Sequence, residues 1–238
     1  LTFAESLAPQ RNETVESIEL TRLDSFEAAL PMREEWDTLV ERVGGDVFNT
    51  FDWCATWWKH FGRRRSLAIY IARHGDELVA VWPLFREKLR WGPVLLRVVR
   101  VVGCDHGVTT CNLSTDPDSV QAVAPAVVAA LESDGPWDLM HVGEIPGYAE
   151  HGAALADAFR HSPHVRDVNF ENDAYPHAVF DVPADYEAYL AGLSVKERRN
   201  VRRDERELAK LGGTHHEPGT RQELDAAFDV LIDLHRKH

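Results

Sequence analysis

Three consecutive strands predicted between residues 67 and 102 constrain the fold of this chain more than any other feature. Residues 67–73 and 77–86 are rich in β-branched and aromatic side chains, and a glycine-containing turn joins them as a hairpin. Residues 95–102 form the third strand, after a second turn at 91–93. Apolar residues occupy both faces of these strands, so the sequence predicts a sheet that is covered on both sides.

Amphipathic helices flank this strand region in the sequence. One is predicted to begin near Pro31 and to end before Gly44. Asp116 and Pro117 have the residue types of an N-cap and a first turn, and they open a later helix. The alternation of strands and helices predicts an α/β domain. The predicted strands are 17–23, 67–73, 77–86, 95–102, 137–142, 165–170 and 177–182, and the predicted helices are 31–43, 50–61, 117–131 and 148–159.

A basic helix is predicted after this domain, beginning at Ser194 and ending before Gly212. Ser194 and Glu197 have the spacing of a capping box, and two consecutive glycines supply the end of the helix. At about 100° per residue, its basic side chains fall in one narrow sector. These side chains are Lys196, Arg199, Arg203, Arg206 and Lys210. The neighbouring elements are a short helix at 184–193, a short strand at 214–217 and an amphipathic helix from about residue 220.

The basic stripe on this helix allows three interpretations. It is a solvated face with internal pairs such as Arg203–Glu207, it packs against the acidic remainder of the chain, or it binds an anionic group. For the third interpretation Arg199 and Arg203 are the candidates, because a guanidinium group can hold a phosphate through two hydrogen bonds. A nucleic-acid partner is not expected, since it would need more basic surface than this chain offers.

Charge and cysteine content narrow the functional classes. The net charge of −13 argues against general affinity for DNA or for an anionic membrane, and it suits a cationic or small-molecule partner. No apolar run approaches the about 18 residues of a membrane span. The three cysteines are odd in number and sparse, which predicts reduced thiols and a cytoplasmic location.

Two tryptophans on the helix predicted at 50–61 are candidates for substrate binding. Trp53 and Trp57 lie one helical turn apart, on a face that differs from the apolar stripe of the same helix. Either both faces of this helix are buried, or the two indoles line a cleft or a domain seam. The sequence leaves both alternatives open.

The segment 103–112 holds the candidate catalytic residues. It follows a buried strand directly and contains Asp105 and His106 between two cysteines. Both residues suit a solvated turn, or they border an acceptor pocket in which one takes a proton from an attacking amine or hydroxyl. The spacing of Cys104, His106 and Cys111 matches no established metal site and lacks a fourth ligand, so no metal is expected.

Several short stretches, in this order and spacing, resemble the GCN5-related N-acetyltransferase (GNAT) superfamily. The resemblance is to its bacterial CelD/BioF2-like branch, distant relatives of the Fem-type aminoacyltransferases. It runs from about residue 17 to the end of the chain. The stretches are Phe51-Asp52-Trp53 with Trp57-Trp58 and Phe61-Gly62, Gly75-Asp76-Glu77-Leu78 with Pro83-Leu84, Trp137-Asp138-Leu139, Tyr189-Leu190 with Leu193 through Arg203, and Leu234-His235-Arg236.

The resemblance implies a fold, a division into domains and an activity. The fold would be GNAT-like, with a mixed, mostly antiparallel central sheet flanked by helices. Residues 1–16 would be a flexible segment, 17–182 a first GNAT-like domain, and 183–238 the incomplete beginning of a second. The activity would be transfer of an acyl group from acetyl-CoA or another acyl-CoA to an amine or hydroxyl. The acceptor would be a sugar, a polysaccharide precursor or a small metabolite. The family often places an aspartate near Asp105, which favours Asp105 over His106.

One departure from the family pattern bears on the acyl donor. GNAT units cradle the cofactor pyrophosphate on a loop of pattern [Arg/Gln]-x-x-Gly-x-[Gly/Ala] that opens a helix. The corresponding segment 103–112 lacks the leading residue and the glycine spacing, and its helix begins too late. The first unit is therefore not expected to hold coenzyme A in the usual way. The alternatives are a non-catalytic binding module with a degenerate GNAT fold, and a Fem-like aminoacyltransferase.

Overall fold

The computed structural model describes residues 18–103, 113–143, 145, 151–169, 181–214 and 216–237. The chain divides into two compact units, residues 1–174 and 175–238. The strands of the first unit are β1 (Glu19–Leu23), β2 (Ser66–His74), β3 (Glu77–Trp91), β4 (Val94–Val101), β5 (Ser114–Thr115) and β6 (Leu139–His141). Its helices are α1 (Phe26–Ala29), α2 (Arg33–Arg42), α3 (Phe51–Phe61), α4 (Val120–Ser133) and α5 (His151–His161), with short 3-10 turns before α2, α3 and α4.

The six strands form one mixed sheet. Its order is β1-β2-β3-β4-β6, and β5 pairs with β3 beside that path. The pairs β1–β2, β2–β3, β3–β4 and β3–β5 are antiparallel, whereas β4 and β6 run parallel. The mixed, mostly antiparallel central sheet flanked by helices is therefore confirmed.

Both faces of the sheet are buried, as the apolar strands predict. Successive side chains of a strand point to opposite faces, so Trp82 packs in a core with α4 and α5 while Val81 packs in a core with α1–α3. Trp82 and Phe85 are fully buried on these two faces. Burying each large apolar side chain contributes roughly 1.5–3 kcal/mol, which is why helices must cover both sides.

Two different strands, β4 and β5, pair with successive parts of the same edge of β3. β4 pairs with β3 from Leu84 onward, and the Val102 amide donates to the Pro83 carbonyl at 2.8 Å. β5 takes the place of β4 further back on β3. The Trp82 Nε1–H holds β5 there by donating to Thr115 Oγ1 at 2.7 Å. The sequence did not predict β5, because two residues show no periodicity.

The sequence predictions that differ from the structure are mainly those of short strands. Residues 165–169 are irregular, although a strand was predicted over 165–170. The Val165 amide instead donates to the Ser162 carbonyl in a turn that follows α5, at 3.2 Å. The strand predicted at 214–217 is likewise irregular in its described residues. Of the strand predicted at 177–182, only residues 181 and 182 are described, and they are irregular. A strand exists only where a ladder partner is available, and a local pattern does not report that partner.

The second unit contains helices α6 (Tyr186–Gly192), α7 (Val195–Lys210) and α8 (Arg221–Lys237). The predicted capping box is confirmed: the Glu197 amide donates to Ser194 Oγ, and the Glu197 carboxylate accepts from the Ser194 amide. Gly212, with φ of +73°, ends α7, and the Gly213 amide donates to the Leu208 carbonyl at 2.9 Å. Across the described ranges, no helix has the length and apolar content of a bilayer span.

Candidate functional site

Helix α3 positions both candidate tryptophans. Thr50 is its N-cap and accepts from the Trp53 amide at 3.4 Å, and Gly62 forms its C-cap. The core side of α3 carries Cys54, whose pKa is raised by burial of the thiol. A neutral, buried thiol of this kind is a packing residue, as its place on the apolar stripe indicates.

Trp57 lies in the hydrophobic core. It is 4% exposed, and its ring packs on Phe61 and Phe85 at centroid distances of 5.4 and 5.5 Å. The Arg65 guanidinium lies 5.4 Å from the same ring and covers it. A ring enclosed in this way offers almost no surface to an acceptor, so its position favours the interpretation of Trp57 as a core residue.

Trp53 lies against the end of β4. Its indole packs edge-on against Phe48 at 4.9 Å. A Cβ on Gly103 would stand 3.2 Å from Cδ1 and Nε1 of the same indole. Among the described residues, the buried Nε1 of Trp53 has no hydrogen-bond partner. Such an N–H is costly to leave unpaired, so Trp53 is a candidate to donate to a bound molecule or to the neighbouring segment.

Gly103 joins this tryptophan to the candidate catalytic segment. Its φ of +88° is one that residues with a side chain rarely adopt, and a Cβ there would come unusually close to the indole. Asp105 and His106 lie outside the described residues, and they follow Gly103 by two and three positions in the sequence. Two peptide units span at most about 7 Å. The structure therefore brings Trp53 to the start of the segment that holds both candidates.

The same edge of the sheet carries the ends of two parallel strands. β4 and β6 are paired from Val98–Leu139 to Arg100–His141, so their carboxyl ends point the same way. Gly103 follows β4 and Gly143, with φ of +94°, follows β6. In α/β sheets, ligands bind preferentially beyond the carboxyl ends of parallel strands. The positions of Gly103 and Trp53 mark this edge as the candidate site.

The beginning of α4 does not suit a pyrophosphate. Asp116 caps the 3-10 turn before α4 and accepts from the Asp118 amide at 3.2 Å. Helix N-termini bind anions through free N–H groups and the positive end of the dipole. Here two carboxylates occupy that place, which agrees with the missing glycine pattern in 103–112. The described residues at α4 therefore do not fit the phosphates of coenzyme A.

The basic stripe of α7 is exposed in the second unit. Arg203 pairs with the neighbouring Asp204 at 3.0 Å, and Glu207 pairs with Lys210 at 2.8 Å, in place of the expected Arg203–Glu207 pair. Arg199 has no ion pair or hydrogen bond to any side chain of the described ranges. Of the predicted anion-binding pair, Arg199 is thus the one whose guanidinium group is unpaired among the described residues.

A different arginine joins α7 to α6. Both Glu187 oxygens accept from Arg202 Nη2 at 2.7 Å, and Tyr186 Oη donates to Glu205 at 2.6 Å. The hydrogen bond to Glu205 raises the pKa of Tyr186. The Arg202 guanidinium is therefore engaged in holding α6 and α7 together. In this it differs from the arginines of the exposed stripe.

An open groove of about 800 Å³ lies along the exposed side of α2. Neither Trp53 nor Gly103 lines this groove. Its lining includes Glu34, Asp37 and Glu41, so its charge would favour a cationic occupant. Within the described ranges, no three His, Cys, Asp or Glu side chains gather as metal ligands.

Comparisons with known proteins give distant likenesses only. No family model and no curated protein matches this chain. One similar solved structure is a ribosomal-protein-alanine N-acetyltransferase from Brucella melitensis biovar Abortus 2308, at 14% identity and a TM-score of 0.39 over 68% of this chain and 99% of that one. Another is an aminoglycoside acetyltransferase from an uncultured soil metagenomic sample, in complex with sisomicin, at 12% identity and a TM-score of 0.39 over 68% and 97%. Likenesses of this size carry no argument about the activity of this chain.

Proposed function

We propose an acyltransferase function for this chain. It would move an acetyl or other acyl group from an acyl-CoA to an amine or hydroxyl of a sugar, a polysaccharide precursor or a small metabolite. The observation that carries the proposal is the contact of Trp53 with Gly103. This contact lies at the carboxyl edge of the parallel pair β4–β6, directly before Asp105 and His106. The motif resemblance to the GNAT superfamily supports the same reaction class.

In this proposal the first unit serves the acceptor. Asp105 takes the proton from the attacking amine or hydroxyl, and His106 is the alternative base. The partly buried indole of Trp53 offers an apolar face for a sugar ring or an alkyl stem. Trp57 supports α3 from within the core and does not contact the acceptor. Of the two tryptophans that the sequence suggests for substrate binding, only Trp53 is therefore kept.

Within the second unit, the exposed basic stripe of α7 is the candidate to bind an anionic group. Arg199 and Arg203 lie on the exposed stripe of α7, and guanidinium groups suit phosphate. The carboxylates of Asp116 and Asp118 oppose an anion at α4, so the donor phosphates are not placed there. The sparse cysteines assign this activity to a reducing cytoplasm.

A non-catalytic binding module is the second candidate function. The acidic beginning of α4 favours it, because a GNAT-like unit without its phosphate cradle could keep the acceptor cleft and lose the reaction. A Fem-like aminoacyltransferase is a third alternative, although a net charge of −13 opposes binding of tRNA.

Titration calorimetry with acetyl-CoA, followed by an assay for released thiol, separates these functions. The assay uses a panel of amino sugars, polyols and small amines as acceptors. The transferase proposal expects saturable donor binding and thiol release that depends on the acceptor. Asp105→Asn should lower turnover about a hundredfold or more, whereas His106→Gln should have the smaller effect. Acceptor binding without donor binding or thiol release would establish the binding module instead.

A further inference from the structure

The hairpin of β3 and β4 extends beyond its neighbours in the sheet. β2 pairs with β3 only as far as Arg86, and β6 pairs with β4 only from Val98 onward. Residues 88–96, here called the arm, therefore form a two-stranded ribbon without a third strand in the described part of the chain. Isolated two-stranded ribbons are marginally stable in water, so this arm depends on its base and on whatever it contacts.

Ion pairs fix the base of the arm on both strands. Glu87 is only 10% exposed and pairs with Arg65 at 3.0 Å and with Arg100 at 3.2 Å. On β4, the Arg97 amide and Nε both donate to Asp138 Oδ2, at 2.8 and 2.9 Å. These hydrogen bonds lower the pKa of Asp138 to about 2, so the carboxylate stays charged. The arm thus projects from a rigid base.

The tip of the arm is a tight and rigid turn. Trp91 pairs with Val94, which leaves a two-residue loop of Gly92 and Pro93. Gly92 has φ of +58°, as the first central residue of such a hairpin turn requires, and the proline ring fixes the next φ. A rigid turn keeps the side chains at 91–95 together at the end of the arm.

The arm is apolar at its tip and cationic just behind it. Trp91 and Val94, the last pair before the turn, are 78% and 53% exposed, and Leu95, which is 57% exposed, stands opposite Arg90 one residue behind them. Arg90 and Lys88 lie one and three residues behind Trp91, which is about 3–10 Å along the strand. Both residues are exposed, and neither side chain has an ion pair or hydrogen bond to a described residue. The arm contains no acidic residue.

We infer that the arm docks on an anionic lipid surface, with its apolar tip in the headgroup region and Lys88 and Arg90 on the lipid phosphates. Interfacial segments of proteins bury apolar side chains about 5–10 Å deep and hold cations at the headgroup level. Tryptophan is the side chain most suited to that boundary. Lys88, about 10 Å behind Trp91, lies at the outer limit of that depth, and Arg90, about 3 Å behind, reaches the phosphates through its long side chain.

The arrangement of charge argues against a second copy of this chain as the occupant. An antiparallel pairing of two β3 strands centred on residue 89 would place Lys88 and Arg90 of one copy opposite Arg90 and Lys88 of the other. Like charges opposite one another destabilise a strand pair. The net charge of −13 argues against general affinity for an anionic membrane. However, charges act over only about 8 Å at physiological salt, so the local charge of the arm decides the contact.

Vesicle co-sedimentation tests this inference with the whole protein. Vesicles of phosphatidylcholine alone are compared with vesicles that also contain phosphatidylglycerol. The protein should sediment with the anionic vesicles only, and added salt should release it. Lys88→Gln with Arg90→Gln should lower partitioning about 30-fold, the loss expected for two cations at a membrane surface. Arg160→Gln with Arg166→Gln, which removes two exposed cations from elsewhere, should leave partitioning within about twofold of the native value.

Two equally exposed leucines supply the matched apolar control. Leu95→Ser removes an apolar side chain from the tip, and Leu30→Ser removes one that is 56% exposed beside α2. Only Leu95→Ser should lower vesicle binding, with unchanged circular dichroism for both variants. Absence of native binding, or equal loss for the two leucines, would overturn the inference. Self-association that Trp91→Ser abolishes, without vesicle binding, would assign the arm to a second copy.

Discussion

The indole of Trp53 crowds the position that a Cβ on Gly103 would take. A Cβ built on Gly103 stands 3.2 Å from two atoms of that indole and 3.3 Å from the Phe48 carbonyl oxygen. This contact joins α3 to the end of β4, which are far apart in sequence.

Gly103→Ala should destabilise the protein more than Gly44→Ala does. Both glycines have positive φ, at +88° and +66°, but a Cβ on Gly44 meets nothing within 4 Å. Backbone strain alone costs about 1–2 kcal/mol in the free energy of unfolding. For a chain of this size, each kcal/mol lowers Tm by about 2–4 °C. The additional loss in Gly103→Ala measures the clash with Trp53, and thermal unfolding reports both values. Equal losses for the two variants would show that Trp53 does not constrain Gly103.

Trp53→Ala and Trp57→Ala should differ in what they impair. Trp57 is enclosed by Phe61, Phe85 and Arg65, so its removal leaves a cavity and should cost about 3–5 kcal/mol in the free energy of unfolding. Trp53→Ala should cost less stability and should raise the KM for the acceptor. Denaturant unfolding and steady-state kinetics of the two variants test this difference. An unchanged KM in a folded Trp53→Ala protein would remove Trp53 from the acceptor site.

Arg199→Gln should weaken binding of the phosphate-bearing donor at least about tenfold, because hydrogen bonds to charged groups contribute about 1.5–3 kcal/mol. Arg203→Gln should have a smaller effect, since Asp204 already engages that side chain. Arg202→Gln removes the same charge and serves as the control. It should leave donor binding unchanged, because Glu187 already holds the Arg202 guanidinium group. Calorimetric titration of the three variants with acetyl-CoA is the measurement. If all three bind equally, the stripe is a solvated face.

Stability should depend on pH through the pair of Glu35 and Arg73. Two hydrogen bonds from Arg73, at 2.7 and 2.5 Å, lower the pKa of Glu35 below its ordinary value of 4.5. A carboxyl with a lowered folded-state pKa stabilises the fold fully above its ordinary pKa, and this contribution is lost as the pH falls below that value. The Tm difference between the native protein and Glu35→Gln should therefore shrink between about pH 7 and about pH 3. A constant difference would show that the pair contributes nothing to stability.

Local sequence signals predicted the helix ends accurately. Ser194 with Glu197, and Thr50 with Gly62, lie where the sequence predicts the ends of α7 and α3. Caps are formed by residues within a few positions of one another, so their chemistry is readable from a short stretch. The hairpin of β2 and β3 was predictable for the same reason, since a short turn sets its register.

The division of roles between Trp53 and Trp57 required the tertiary structure. Both residues lie on one predicted helix, and periodicity treats them alike. Their environments differ because Trp53 lies against Gly103, whereas Trp57 packs on Phe85. Both of these neighbours lie outside the helix that carries the tryptophans. Gly103 could have been suspected from its position after a buried strand, but its partner could not.

The sequence by itself determined a sheet covered on both faces, the helices that cover it and the basic stripe of α7. These features follow from the alternation of apolar and polar residues and from short-range capping, which act within single elements. Only the tertiary structure decided that β4 and β6 run parallel, that β5 replaces β4 along β3, and that the arm extends past its neighbours. Those features depend on pairing between residues distant in the chain, and no local pattern encodes which strand edge remains free.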